Sequence, residues 1–426
     1  MIPTTREQAL ALDAQDPLHG LRANFTLPAG VIYLDGNSLG VLPAATPARV
    51  AQVVSDEWGR DLIKSWNTAG WIELPQRVGD KIARLVGAGP GELVAADSTS
   101  VNLYKVLHAA AAIQRADHPG KTVILSERSN FPTDLYIAES LAREMGFTLA
   151  LADTPEAVEQ RLDERVAVLM LTQVNYRTGA LHDMAALTAR AHAVGALTIW
   201  DLCHSAGALP VELKACGADF AIGCGYKYLN GGPGAPAFVW VNPKHADRFW
   251  QPLSGWMGHA APFKFTPDYQ PAPGIARYLC GTPQVIGMAA LECGVDSVLA
   301  AEPLGGLTAL RAKSIALTEA FAALVEQRCE GHGLAVVSPR EAAHRGSQVC
   351  LTRSEGAFAI VQALIARGVI GDYRQGDEQT PDILRFGFTP LYIGFAEVWD
   401  AVEQLRQVME SREWQRPEFN RRHAVT

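Results

Sequence analysis

The chain has 426 residues, 48% hydrophobic and 19% charged, which is enough apolar material for a large core in two or three domains and too much for a disordered chain. A formal net charge of -8, with no Lys/Arg cluster, argues against a nucleic-acid footprint. The longest apolar runs, such as "VAVLML", are strand-length, so no membrane span is expected, and the N-terminus "MIPTTREQALALDAQDPL" lacks the basic and apolar parts of a secretory signal.

The first 50 residues read as an arm. From about residue 120 the pattern alternates between strands and helices. "KTVILSE" reads as a strand, "TDLYIAESLAREMG" as a helix, "FTLALAD" as a strand and "TPEAVEQRL" as a short helix. "RVAVLMLTQV" is a strand and "MAALTARAHAVG" a helix, followed by the strands "ALTIWDL", "DFAIGCG" and "APAFVWV". Near-continuous apolar strands between helices imply an α/β fold with a mostly parallel sheet covered on both faces. After about residue 300, Leu307, Leu310, Ser314, Leu317, Phe321 and Leu324 recur at helical spacing. "LAVVSP", "SQVCLTR" and "ILRFGF" then read as strands of a smaller α/β layer. The expected division is an arm at 1–50, a large domain at 51–300 and a small C-terminal domain at 301–426. Seven scattered cysteines, odd in number and without a CxxC pair, suggest a reduced, cytoplasmic protein. The histidines show no ligand spacing, so no metal site is expected.

Lys227, in "GCGYKYLNGG", follows a predicted strand, and Asp201 ends a neighbouring one. Ligands of open α/β sheets gather at the carboxyl ends of strands. The pair reads either as a partly buried ion pair or as a Schiff-base lysine holding pyridoxal phosphate, with Asp201 on the pyridine nitrogen. In "AADSTSVNLYKVL", Thr99 and Ser100 open a helix, which suits a phosphate or simply caps the helix. Phe131 and Asp134 in "SNFPTD" could stack on a flat ring and accept a hydrogen bond, or merely begin a helix. His204 and Thr172 are further candidates for the same crevice, although a lone apolar-site histidine is more often a satisfied core residue.

Together "YLDGNSLG" (33–40), "NFPTD" (130–134), "WDLCHSAGALPVEL" (200–213), "GCGYKYLNGGPGAPAF" (223–238), "LSGWMGH" (253–259) and "RFGFTPLYIGF" (385–395) resemble the kynureninase family over nearly the whole chain. The resemblance implies a type I pyridoxal-phosphate transferase fold with a seven-stranded large-domain sheet. It also implies a homodimer with shared active sites, and hydrolysis of L-kynurenine to anthranilate and L-alanine by Cβ–Cγ cleavage. Lys227 resembles the Schiff-base lysine and Asp201 the partner of the pyridine nitrogen, with His204 beside it. Phe131 resembles the ring-stacking residue, and Thr99, Ser100, Asp134, Thr172 and Tyr226 resemble cofactor contacts. Trp256 and Thr282 resemble positions that reach the phosphate from the other subunit, and Arg385 the arginine that grips the substrate carboxylate. Tyr226 is the candidate proton shuttle. Trp66 and Asn67, in "IKSWNTAGW" with Trp71, are candidate substrate contacts. That apolar loop and Thr282, in place of an asparagine, favour L-kynurenine over its 3-hydroxy form. The alternatives are another enzyme on this fold, such as a cysteine desulfurase or an aminotransferase.

Overall fold

A computed structural model describes residues 2–421. Seven strands form the central sheet: β1 (Leu93–Ala95), β2 (Val123–Glu127), β3 (Thr148–Ala152), β4 (Val166–Thr172), β5 (Leu197–Asp201), β6 (Phe220–Gly223) and β7 (Phe238–Val241). Their spatial order is β1-β7-β6-β5-β4-β2-β3. Only β7 runs antiparallel to its neighbours, so the expected mostly parallel sheet is present.

The unbroken apolar strands follow from two-sided burial. Successive side chains point to opposite faces. Val168 and Met170 of β4 join a core with Leu103 and Val106 of helix Thr99–Asp117, while Leu169 and Leu171 join a second core on the other face. All seven residues of β4 are buried. The loops after β4, β5 and β6 open at one end of the sheet, which brings Thr172, Asp201 and Lys227 to a common crevice.

A second sheet has four antiparallel strands in the order Asp372–Arg374, Ile383–Gly387, Gln348–Thr352 and Ala335–Val336. Helices Gly306–Arg328 and Phe395–Ser411 pack beside it. The arm is tied to this part of the chain. Strand Ile32–Tyr33 pairs in parallel with Val369–Ile370. Helix Phe395–Ser411 begins at Gly394, which has no side chain to cap it. Asp13 of helix Arg6–Gln15 supplies the cap instead, its carboxylate accepting from the N–H groups of Phe395 (2.6 Å) and Ala396 (2.9 Å). Among the described residues no helix is long and apolar enough to cross a membrane.

Candidate active site

One cavity at the carboxyl end of the sheet is lined by Thr99, Ser100, Phe131, Asp134, Thr172, Asp201, His204, Tyr226 and Lys227. Ser98, Thr133, Tyr176 and Cys203 complete its wall. Nine side chains chosen from the sequence therefore meet in space.

Each is held by local chemistry. Ser98 caps helix Thr99–Asp117, its Oγ accepting from the Val101 N–H, so Thr99 and Ser100 present the free N–H groups of the first turn. Phe131 precedes the Pro132 that opens helix Pro132–Met145, and its ring lies 5.9 Å from the Lys227 ammonium. The Asp201 carboxylate accepts from the Cys203 N–H at 2.7 Å and lies 3.4 Å from the Thr172 hydroxyl, which donates to Asn130. The loop carrying Lys227 is closed on itself by Asn230 N–H to the Lys227 carbonyl at 2.9 Å. It is also backed by the arm, where Gly40 N–H donates to the Tyr226 carbonyl at 2.8 Å. A Cβ at Gly40 would lie 2.4 Å from the Lys227 carbonyl oxygen, so only glycine permits this approach.

The electrostatics are specific. The His204 Nε2 lies 3.0 Å from the Lys227 Nζ. Burial, and then the Lys227 charge, push the His204 pKa well below its ordinary value, so at neutral pH it is an uncharged acceptor for the lysine. Asp134 is pushed well above the carboxylate range by burial and by the neighbouring Asp201. Asp134 thus keeps its proton beside the Asp201 carboxylate. Burial, followed by the nearby Cys224 and Cys203 thiols, raises the Tyr226 phenol, which stays protonated.

This donor set fits pyridoxal phosphate. An amine, a slot beside an aromatic ring, a buried carboxylate pair suited to a pyridinium N–H, and a helix start suited to a dianion surround one space. Among the described residues no group of three or more His, Cys, Asp or Glu is arranged to hold a metal ion.

Arg385 stands one layer behind this cavity. Its guanidinium is 1% exposed and donates to the carbonyl of Tyr176, a cavity residue, at 2.9 Å. It also bonds to the Ser38 hydroxyl and ion-pairs with Asp372, its cross-strand neighbour. Arg374 binds the same Asp372 oxygen at 2.6 Å, so one carboxylate lies between two guanidiniums. Among the described residues the buried Arg385 Nε–H has no hydrogen-bond partner. The fourth ionisable member is Asp35, whose carboxyl is raised to about 7 by burial and by Asp372, against the pull of Arg385. Ser38, Asp35, Asp372, Arg374 and Gln348, whose amide donates to the Tyr176 carbonyl at 3.2 Å, were not singled out from the sequence. The polar residues inside "YLDGNSLG" and "GDYR", and for Gln348 the strand "SQVCLTR", are the signal that could have found them.

The state of Asp35 has a measurable consequence. Its folded-state carboxyl keeps its proton to about pH 7, whereas the unfolded chain releases it near the ordinary aspartate value of 3.8. Between these values the folded state binds more protons, so stability falls as pH rises, by up to about 1.4 kcal/mol per pH unit. Asp35→Asn imitates the protonated acid. Denaturant unfolding should show Asp35→Asn more stable than the parent at pH 8, with the gain shrinking toward pH 5; an equal effect at both pH values would contradict a raised Asp35 carboxyl.

Trp66, Asn67, Trp256 and Thr282 do not line this cavity. Trp66 stacks edge-on with Trp256 at 5.7 Å and with Trp71 at 6.2 Å, in a group that also contains Phe263. Asn67 and Thr282 are exposed.

The sequence profile of the "Kynureninase C-terminal domain" matches residues 310–405. The chain is 56% identical to a kynureninase of Pseudomonas fluorescens over 425 residues, covering 99% of this chain and 100% of that protein. A kynureninase of Burkholderia pseudomallei (strain 1106a) is 54% identical over 424 residues, with the same coverage. The chain belongs to the kynureninase family. Its cofactor is therefore pyridoxal 5'-phosphate, and its chemical class is that of hydrolases acting on carbon–carbon bonds in ketonic substances. Among solved structures it is similar to a cysteine desulfurase from Thermococcus onnurineus NA1 (TM-score 0.76, 18% identity, 92% of this chain and 98% of that one). The cysteine desulfurase CsdA of Escherichia coli gives a TM-score of 0.75 at 18% identity, covering 92% of this chain and 98% of that one. Those likenesses establish the type I pyridoxal-phosphate fold that kynureninases share with them. Desulfurase chemistry itself needs an accessible thiolate. Cys350 is fully buried with its thiol pushed up to about 11, which leaves it protonated and inert.

Proposed function

We propose that this chain hydrolyses L-kynurenine to anthranilate and L-alanine, using the residues of the Lys227 cavity. The observation that carries this reading is the convergence of Lys227, uncharged His204 and the Asp134–Asp201 pair on one space beside Arg385. When bound there, pyridoxal phosphate supplies an electron sink conjugated with the substrate α-carbon. Thr99 and Ser100 would hold its phosphate at the helix start, Phe131 would lie against its ring, and the Asp201 carboxylate, beside Asp134, would support a proton on its ring nitrogen. Thr172 orients Asp201. His204 accepts a hydrogen bond from Lys227 and so directs its amine, and Lys227 takes the proton from the substrate α-carbon and later returns it. Tyr226 exchanges a proton at the γ-carbonyl as water adds there and the Cβ–Cγ bond breaks.

Arg385 holds the α-carboxylate by charged hydrogen bonds. Arg385→Lys loses the planar fork, and such bonds contribute about 1.5–3 kcal/mol each, so KM should rise about tenfold or more while kcat changes little. Steady-state kinetics check this, and an unchanged KM would return Arg385 to a purely structural ion pair with Asp372.

We also propose the three-part division at about residues 50 and 300, a cytoplasmic location and a homodimer in which Trp256, Thr282, Trp66 and Asn67 serve the partner's cavity. An apolar surface formed by Val53, Trp58, Trp71, Val285 and Ile286, with Ile63 75% exposed nearby, supports the dimer. The aromatic loop around Trp66 and the small Thr282 favour L-kynurenine over 3-hydroxykynurenine. The deciding experiment mixes purified protein, pyridoxal phosphate and L-kynurenine and follows anthranilate fluorescence, with 3-hydroxykynurenine as the comparison. No anthranilate, or amino transfer to an added keto acid in its place, would reject this reading.

A further inference from the structure

Lys105 is a buried cation with no part in the chemistry above. It lies on helix Thr99–Asp117, two turns below the Ser98 cap, and is 0% exposed. Its ammonium ion-pairs with Asp97 and donates to the Tyr278 carbonyl at 2.6 Å. Removing an ammonium from water costs several kcal/mol, and an apolar side chain of similar volume would often serve stability as well or better. A fold that needed only packing here would use methionine or leucine.

What the ammonium does is local. Asp97 has φ +50°, a left-handed conformation that residues other than glycine adopt only under strain. Asp97 directly precedes Ser98, Thr99 and Ser100, which line the cavity. Its carbonyl accepts from Ala237 N–H at 2.9 Å, and the buried Asn102 amide holds the Ala96 carbonyl at 2.8 Å. Lys105 reaches back from the helix itself to the Asp97 carboxylate, and so it ties the turn to the helix axis. Its second bond reaches another segment. Two residues after Tyr278, the Cys280 carbonyl accepts from Met257 N–H at 3.1 Å and lies against Gly255, so Trp256 and Thr282 flank a single backbone junction.

We propose that Lys105 is a positioning residue for the cofactor phosphate, holding the Asp97 turn so that the N–H and hydroxyl groups of Ser98–Ser100 point into the cavity, and setting the 278–282 segment in register with them. This rests on the reading of the helix start as the phosphate site.

The test compares cofactor-free protein with its Lys105→Met and Asp97→Gly variants. Glycine takes the left-handed conformation without strain but cannot hold the clamp. Equilibrium binding of pyridoxal 5'-phosphate and of phosphate-free pyridoxal is followed by quenching of tryptophan fluorescence. The expected result is that both variants lose at least tenfold in affinity for the phosphate ester, the scale of one charged hydrogen bond, while pyridoxal affinity changes less than about threefold. Equal losses for both compounds, or no loss for either, overturn the proposal. If Lys105→Met does not fold, Asp97→Gly alone decides it by the same criterion. A parent protein that binds both compounds equally would instead reject the helix start as the phosphate site, leaving the two failures distinguishable.

Discussion

Lys227→Ala should lower the turnover of L-kynurenine by at least about 10³-fold, the scale of losing both an activated amine and a positioned base. The loss is expected because no other amine in the cavity can replace it: the remaining lining side chains are carboxyl, hydroxyl, thiol, imidazole and aromatic groups. His204 is held uncharged by burial and hydrogen-bonds to the lysine from the side, so it does not occupy the position Lys227 leaves. The cofactor should still bind through Thr99, Ser100, Asp201 and Phe131, and millimolar methylamine should restore part of the rate by supplying the missing base. Borohydride treatment of the cofactor-loaded parent followed by peptide mass analysis should place the added mass on the peptide containing Lys227 and on none in Lys227→Ala. A variant that merely lost stability and kept near-parent turnover at low temperature would show that Lys227 is half of a structural ion pair.

Tyr226→Phe should lower kcat by roughly 10²–10⁴ with little change in cofactor affinity. Tyr226 lines the cavity next to Lys227, whose ammonium lies 5.7 Å from its ring. Burial keeps its phenol protonated, so it acts by donating and must recover its proton from a group that titrates nearer neutrality. A phosphate ester, with a second pKa of about 6, meets that need. The substitution removes one hydroxyl and leaves the ring in place, so packing should survive. The kcat of Tyr226→Phe measured across pH 6–9, alongside cofactor titration, checks both halves. Unchanged kcat would assign the proton transfer to another group, and a parallel loss of cofactor would make Tyr226 a binding residue only.

Much of this site was legible before any coordinates. β4, β5 and β6 appear as near-continuous apolar runs because both sheet faces are covered, and the polar residues that end such a run or follow it closely fall at the crevice. Asp201 and Lys227 were found that way, and Thr99 and Ser100 by the composition of a helix start. These signals are local, since period, capping and strand ends are written within a dozen residues of one another. The family motifs added Arg385, Trp256 and Thr282.

The surroundings of Arg385 were decided otherwise. Ser38 meets Arg385 across a separation of 347 positions, and Asp372 faces it only because Asp372–Arg374 and Ile383–Gly387 pair in that register. A shift of one residue would turn Asp372 to the opposite face. The Lys105–Asp97 clamp likewise depends on a left-handed turn that no periodicity announces. The sequence by itself determined the strands of the sheet, the strand ends where the crevice opens and the lysine placed there, because each is specified by neighbours along the chain. Only the tertiary structure decided which distant charges surround Arg385, because burial makes those charges depend on their spatial neighbours.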